Sequence, residues 1–148
     1  YLPLKQDQTL LDVWVQHCHT LLGSENVHFS GHNGASTDMG DITHLIPGIH
    51  PFIGGFQGTL HSSNFKVIDE DMAYILPAKL YALTAIDLLA DGARLARKIT
   101  QEFKPALKKD RYNTTPKARS INIPKITGCF LMLYSPFCCG LIFTSASA

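Results

Sequence analysis

Apolar positions recur at helical spacing in three stretches of the chain, and a weaker alternating pattern lies between them. The first helical stretch carries Leu10, Leu11, Val13, Trp14, Cys18, Leu21 and Leu22, which predicts a helix over 8–22. Asp7 or Thr9 is expected to cap it and Gly23 to close it. Pro3 disfavours helix upstream, so residues 1–6 are expected to be extended. The second stretch holds Met72, Ile75, Leu76, Leu80, Leu83, Ile86 and Leu89, a core stripe for a helix over 71–90. Asp69, Glu70 and Asp71 suit its N-terminus through the helix dipole. Pro77 implies a kink there, or two elements with Pro77 in the first turn of the second. Asp91-Gly92 interrupts the pattern. A further helix is expected over 93–103, with Arg94, Arg97 and Lys98 on its wet face and Pro105 beyond its end. Between these stretches, Val27 and Phe29 alternate with His28 and Ser30, which predicts a strand over 26–30. A second strand is expected over 49–54, and a short helix capped by Asp38 should run to about His44, stopped by Pro47. The elements imply an α/β fold, with helices packed on a small sheet.

Composition narrows the function classes. The 148 residues suffice for one domain with a sizeable core. A net charge of +1 and 17 % charged residues give no electrostatic case for nucleic acid or an anionic membrane surface. Cys18, Cys129, Cys138 and Cys139 have neither disulfide-framework nor zinc-finger spacing, which favours a reduced, cytoplasmic setting. The start Tyr-Leu-Pro-Leu shows no signal peptide and no initiator methionine, so a piece of a longer chain is expected. Residues 104–125 are basic and irregular, and residues 126–144 carry no charge over 19 positions. That run meets the length of a membrane helix, but Pro136 and two glycines weaken it. It is read as a divergent tail that packs poorly, not as a membrane span.

The chemistry concentrates in residues 31–65, which hold four of the seven histidines and seven of the eleven glycines. One part, Ala35-Ser36-Thr37-Asp38-Met39-Gly40-Asp41, is a turn of small polar residues. Another, Gly54-Gly55-Phe56-Gln57-Gly58-Thr59-Leu60-His61-Ser62, is a glycine-rich loop ending on a histidine. Ser36, Thr37 and Asp38 are all good helix caps. Glycines at 54 and 55 let backbone N–H groups approach a ligand. His32 is placed near the mouth of such a site or in an ordinary loop. His44 and His50 neighbour apolar residues and are expected to be packed, and Asp41 to serve a turn or cap. His17 and His19 lie two apart on a helix and face apart, which opposes a His-Cys-His metal clip.

Taken in order, Ser-Thr-Asp-Met-Gly-Asp-Ile-Thr-His, Pro-Gly-Ile-His-Pro-Phe-Ile-Gly-Gly and Gly-Thr-Leu-His-Ser resemble the C-terminal part of the metal-dependent amidohydrolases. These comprise the aminoacylase, acetylornithine deacetylase and glutamate carboxypeptidase family of zinc exopeptidases. The nearest branch contains the hippurate, aminobenzoyl-glutamate and auxin-conjugate hydrolases. The resemblance covers roughly residues 1–112, which it implies are the C-terminal part of a catalytic domain, with 113–148 a divergent tail.

The resemblance implies hydrolysis of the amide bond of N-acyl amino acids or small peptides. It implies His61 as a ligand of a divalent metal (Zn, Mn or Co), with Ser36, Thr37, Asp38, Gly54 and Gly55 on the substrate side. Asp38 is alternatively a group that orients a ligand histidine. A homodimer is implied for the whole protein. The family's other ligands, a His-x-Asp or Cys-x-His pair, and its adjacent Glu-Glu have no counterpart in this chain, since Glu25, Glu70 and Glu102 are isolated. The inserted dimerisation domain is missing too. No catalytic residue is assigned, and the chain alone is expected to be inactive. A different class remains open: a non-catalytic interaction domain, membrane-attached through its apolar tail.

Overall fold

The computed structural model describes residues 1–29 and 37–108. The tail after residue 108, the first-loop residues 31–35, His32 and Ser36 lie outside the described residues. Helix α1 spans Gln8–Leu22, as its apolar spacing predicts. The Asp7 side chain accepts the Leu10 N–H at 3.0 Å, so Asp7 rather than Thr9 is the cap. Gly23 (φ 82°) closes the helix by donating its N–H to His19 O. A single 3-10 turn, Ser24–Asn26, follows.

A short helix α2, Met39–Thr43, and a hairpin of β1, Phe56–Gln57, and β2, Lys66–Val67, come next. The strands pair antiparallel, Phe56 with Val67 and Gln57 with Lys66. The strand expected at 49–54 is not formed, nor is the one at 26–30 over its described residues. Residues 27–29 run irregularly after the 3-10 turn, and 49–54 approach the hairpin without ladder bonds. Alternation misled at 26–30 because no second strand among the described residues lies beside it: Phe29 is 72 % exposed rather than packed on a sheet face. At 49–54 the backbone partner is a side chain, since Gln6 Oε1 accepts the His50 N–H at 2.8 Å.

The long apolar stripe forms a π-helical turn, Asp71–Ile75, continued by α3, Leu76–Glu102. Pro77 sits in the first turn of α3, directly after the π-helical turn. The interruption at Asp91-Gly92 is a break in α3: Asp91 (φ 49°), Gly92 (φ 66°) and Ala93 (φ 61°) are all left-handed. The chain re-enters helix and packs through Ala96 and Ile99.

The core is the seam between α1 and α3. Leu10, Trp14 and Cys18, one every four residues, face Leu76, Leu80 and Leu88, with Ile49 joining them. Trp14 meets Tyr81 with ring centroids 5.0 Å apart. Burial pushes the Tyr81 hydroxyl above its ordinary pKa of 10.0. At the edge of the seam His17 Nε2 lies 2.8 Å from Asp87 Oδ2, while His19 Nδ1 pairs with Ser24 Oγ at 3.0 Å. The two histidines therefore serve different partners on different faces.

The N-terminal segment is a strap over α2. Asp41 Oδ1 accepts the Leu2 N–H at 2.7 Å, Thr43 Oγ1 accepts the Lys5 N–H at 3.1 Å, and Gly48 O accepts the Asp7 N–H at 3.0 Å. Asp41, expected to be a turn or cap residue, is instead a buried acceptor for this strap. Two core predictions follow from burial. Leu80 is fully buried, so Leu80→Ala should lower the unfolding free energy by about 2–5 kcal/mol in urea titrations. Burial pushes the Cys18 thiol from its ordinary 9.0 up to about 11. Its contribution to stability is complete below pH 9.0 and is lost as pH rises toward about 11. Peptide mapping after iodoacetamide treatment at pH 8 should find Cys18 unlabelled in the native chain and labelled in urea.

Candidate functional site

The predicted site residues fall on two pieces of structure. Thr37 and Asp38 open α2. The Asp38 side chain makes no capping bond; Thr37 Oγ1 accepts the Met39 N–H at 3.3 Å instead. The same hydroxyl donates to Asp38 Oδ1 at 3.4 Å, a long contact. Asp38 O accepts the N–H groups of Asp41 and Ile42. The turn thus caps its helix through threonine and leaves the half-buried Asp38 carboxylate at the helix entrance. Met39 behind it is fully buried and fixes the turn against the interior.

The far end of α2 is packed, as its neighbours in sequence suggest. His44 Nδ1 donates to Gly40 O at 2.7 Å, and His44 O accepts the Ala106 and Leu107 N–H groups. His50 is buried and meets the edge of Phe52 with centroids 5.3 Å apart.

Gly54, Gly55 and His61 belong to the hairpin. Gly54 is buried, and Gly55 (φ 93°) stands at the base of β1. Gly55 O accepts the Ile68 N–H at 2.9 Å and the Asp69 N–H at 3.2 Å. A Cβ at Gly55 would lie 2.6 Å from Asp69 O and 2.8 Å from Ala73 N. This glycine is required by close approach to the chain entering the π-helical turn, independent of any ligand.

His61 lies at the other end of the hairpin, in the turn between its strands. The turn is built by Asn64, which the motifs do not single out. Asn64 Oδ1 accepts the Thr59 N–H at 3.0 Å and also bonds the Ser62 hydroxyl. Ser62 Oγ lies 2.6 Å from Thr59 O as well. Phe56 and Phe65 stack with centroids 5.2 Å apart and clamp the two legs together. The sequence signal for Asn64 is its place in Ser-Ser-Asn after a glycine-rich run, a composition that favours side-chain-to-backbone turns. His61 itself is exposed and left-handed (φ 61°), which is uncommon for a residue other than glycine. The turn holds it in a conformation that a free chain avoids.

The chemistry open to this arrangement is limited by what converges. Among the described residues no group of three or more His, Cys, Asp or Glu side chains is placed to hold a metal ion. The described residues do not by themselves fit a catalytic zinc, which takes three protein ligands.

No protein-family model, curated protein or solved structure matches this chain. The functional reading therefore rests on the motifs and on the geometry just described.

Gly55 separates a structural role from a binding role. Gly55→Ala should lower stability by more than about 1 kcal/mol, because alanine strains at this φ and its Cβ meets backbone. Thermal denaturation checks this, and a change of less than a few tenths would leave Gly55 free for ligand contact.

Proposed function

We propose that the chain is the C-terminal part of the catalytic domain, of α/β class, of a cytoplasmic metal-dependent amidohydrolase. Its substrates are N-acyl amino acids or small peptides, its metal is Zn, Mn or Co, and the whole protein is a homodimer. The observation that carries the reading is the ordered set of motifs ending in Gly-Thr-Leu-His-Ser. The exposed, left-handed His61, held on a turn by Asn64 and Ser62, supports a ligand role for that histidine. Thr37, Asp38 and Gly54 keep their assignment to the substrate side, together with Ser36. Gly55 shares it, with its packing role beside it.

In this reading His61 is one donor of a composite site. The remaining ligands and the general-base glutamate come from sequence N-terminal to Tyr1. The chain by itself then binds divalent metal weakly and turns over no substrate, because one exposed imidazole does not hold zinc against water.

The test begins with the reading frame upstream of Tyr1. It should encode a His-x-Asp or Cys-x-His pair and an adjacent Glu-Glu. In protein expressed from that extended frame, His61→Ala should remove metal and turnover together. Thr37→Ala or Asp38→Ala should lower turnover more than metal content. The readouts are plasma mass spectrometry and hydrolysis of hippurate or an N-acetyl amino acid. An upstream frame without these groups, or stoichiometric zinc and turnover in the 148-residue chain alone, would overturn the proposal.

A further inference from the structure

Helix α3 is bent where its residues, one glycine apart, favour a straight helix. Ala90 is extended (ψ 159°), and Asp91, Gly92 and Ala93 are left-handed before helix resumes. Glycine takes that conformation freely, whereas Asp91 and Ala93 are strained in it. The break is therefore held by what surrounds it.

The apolar stripe runs through the break in register. Leu76, Leu80, Thr84 and Leu88 are buried along one face. On an unbroken helix, Gly92, Leu95 and Ile99 would fall within about 40° of Leu88. A straight helix over Leu76–Glu102 would thus keep one apolar face. Its 27 residues would extend about 40 Å, against about 22 Å for the 15 residues of α1. The far end would project past the helix it packs on.

The bent form is held from several sides. Ala96 and Ile99 are buried with the core cluster. Arg97 Nη2 donates to Gly92 O, a pairing five residues apart that a regular helix does not make. Beyond Phe103, the N–H groups of Ala106 and Leu107 donate to His44 O at 3.0 and 3.3 Å, which ties the returning chain to the end of α2. The Asp91–Arg94 pair takes no side, because residues three apart also meet on a straight helix. Two opposed terms therefore meet at one place. Relief of Asp91 and Ala93 favours the straight helix, and burial of Ala96 and Ile99, with the bonds to His44, favours the bend.

We propose that the break at residues 90–93 is a two-position elbow. Its bent position docks residues 94–107 on the core and on α2, and its straight position releases them as a continuation of α3. Hinges are built in this way, from a few element-terminal residues that absorb a large φ/ψ change. The device exchanges an internal contact of Ala96 and Ile99 for an extended helix end with an apolar face. It rests on α3 and its contacts and is independent of the amidohydrolase reading.

The test uses the full chain with spin labels carried on unnatural residues at positions 82 and 102, both exposed, and pulsed dipolar electron spin resonance. The straight position sets the two backbones about 30 Å apart, and the bend shortens this. The wild type should show mainly the short separation. Gly92→Ala strains only the left-handed form and raises helix propensity in the straight one, so it should enrich the long separation at least about tenfold. A Cβ at Gly92 meets nothing nearer than Arg97 Nη2 at 3.8 Å, so this variant strains the backbone without a clash. Ala93→Gly relieves the bent form and should deplete the long separation. Ile99→Ala removes burial and should enrich it. A short separation alone in the wild type, Gly92→Ala and Ile99→Ala would show a fixed bend and overturn the proposal. A wild type at the long separation alone, or shifts of the same sign from Gly92→Ala and Ala93→Gly, would overturn it as well.

Discussion

The packing of α1 on α3 is the constraint on which the rest of this structure depends. Each of the two helices contributes one apolar row, Leu10-Trp14-Cys18 against Leu76-Leu80-Leu88, and most of the other buried apolar side chains gather around that contact. The described segments between the helices are anchored beside them or by the N-terminal strap. The hairpin is too short to stand alone, since a two-residue ladder supplies little by itself. It is anchored where Gly55 packs on the entry to the π-helical turn. The strap of residues 2–7 fixes α2 at the other side through Asp41, Thr43 and Gly48.

This arrangement places polar groups in two different roles. Those of α2 are largely consumed by the fold: Asp41, Thr43, His44 and the Thr37 hydroxyl each hold a backbone group. Those of the hairpin turn are spent on shaping the turn itself, with Asn64 as the organiser and His61 carried outward on a strained backbone. On α3, Ile86 and Leu89 remain exposed outside the core.

The break at residues 90–93 shapes how the C-terminal part of α3 meets the core. Three consecutive left-handed residues are costly for Asp91 and Ala93, at roughly 1–2 kcal/mol each for an L-residue. The Asp91–Arg94 ion pair at 3.2 Å is solvent-exposed and offsets little of this. Burial of Ala96 and Ile99 beyond the break is what maintains it, because a straight helix would carry these side chains away from the core.

The sequence determined the elements whose signal is local and periodic. The bounds of α1 and the interruption at Asp91-Gly92 follow from side-chain spacing and backbone preference, which act within a few residues, whereas the choice of Asp7 over Thr9 as cap and of a first-turn place for Pro77 was left open by the sequence. Its histidines and glycines also concentrate in residues 31–65. Only tertiary structure decided the rest. Alternation at residues 26–29 made no strand, because a strand needs a partner that no local pattern can supply. The hairpin formed instead at Phe56 and Val67, through the Phe56–Phe65 stack and the approach of Gly55 to Ala73. Asp41 became a buried acceptor because the strap passes over α2 from residues nearly forty positions away, and at the entrance of α2 it is Thr37, not Asp38, whose side chain bonds the helix. Spacing along a chain encodes a helix, whereas the partner of a carboxylate or a strand is settled only when distant segments meet.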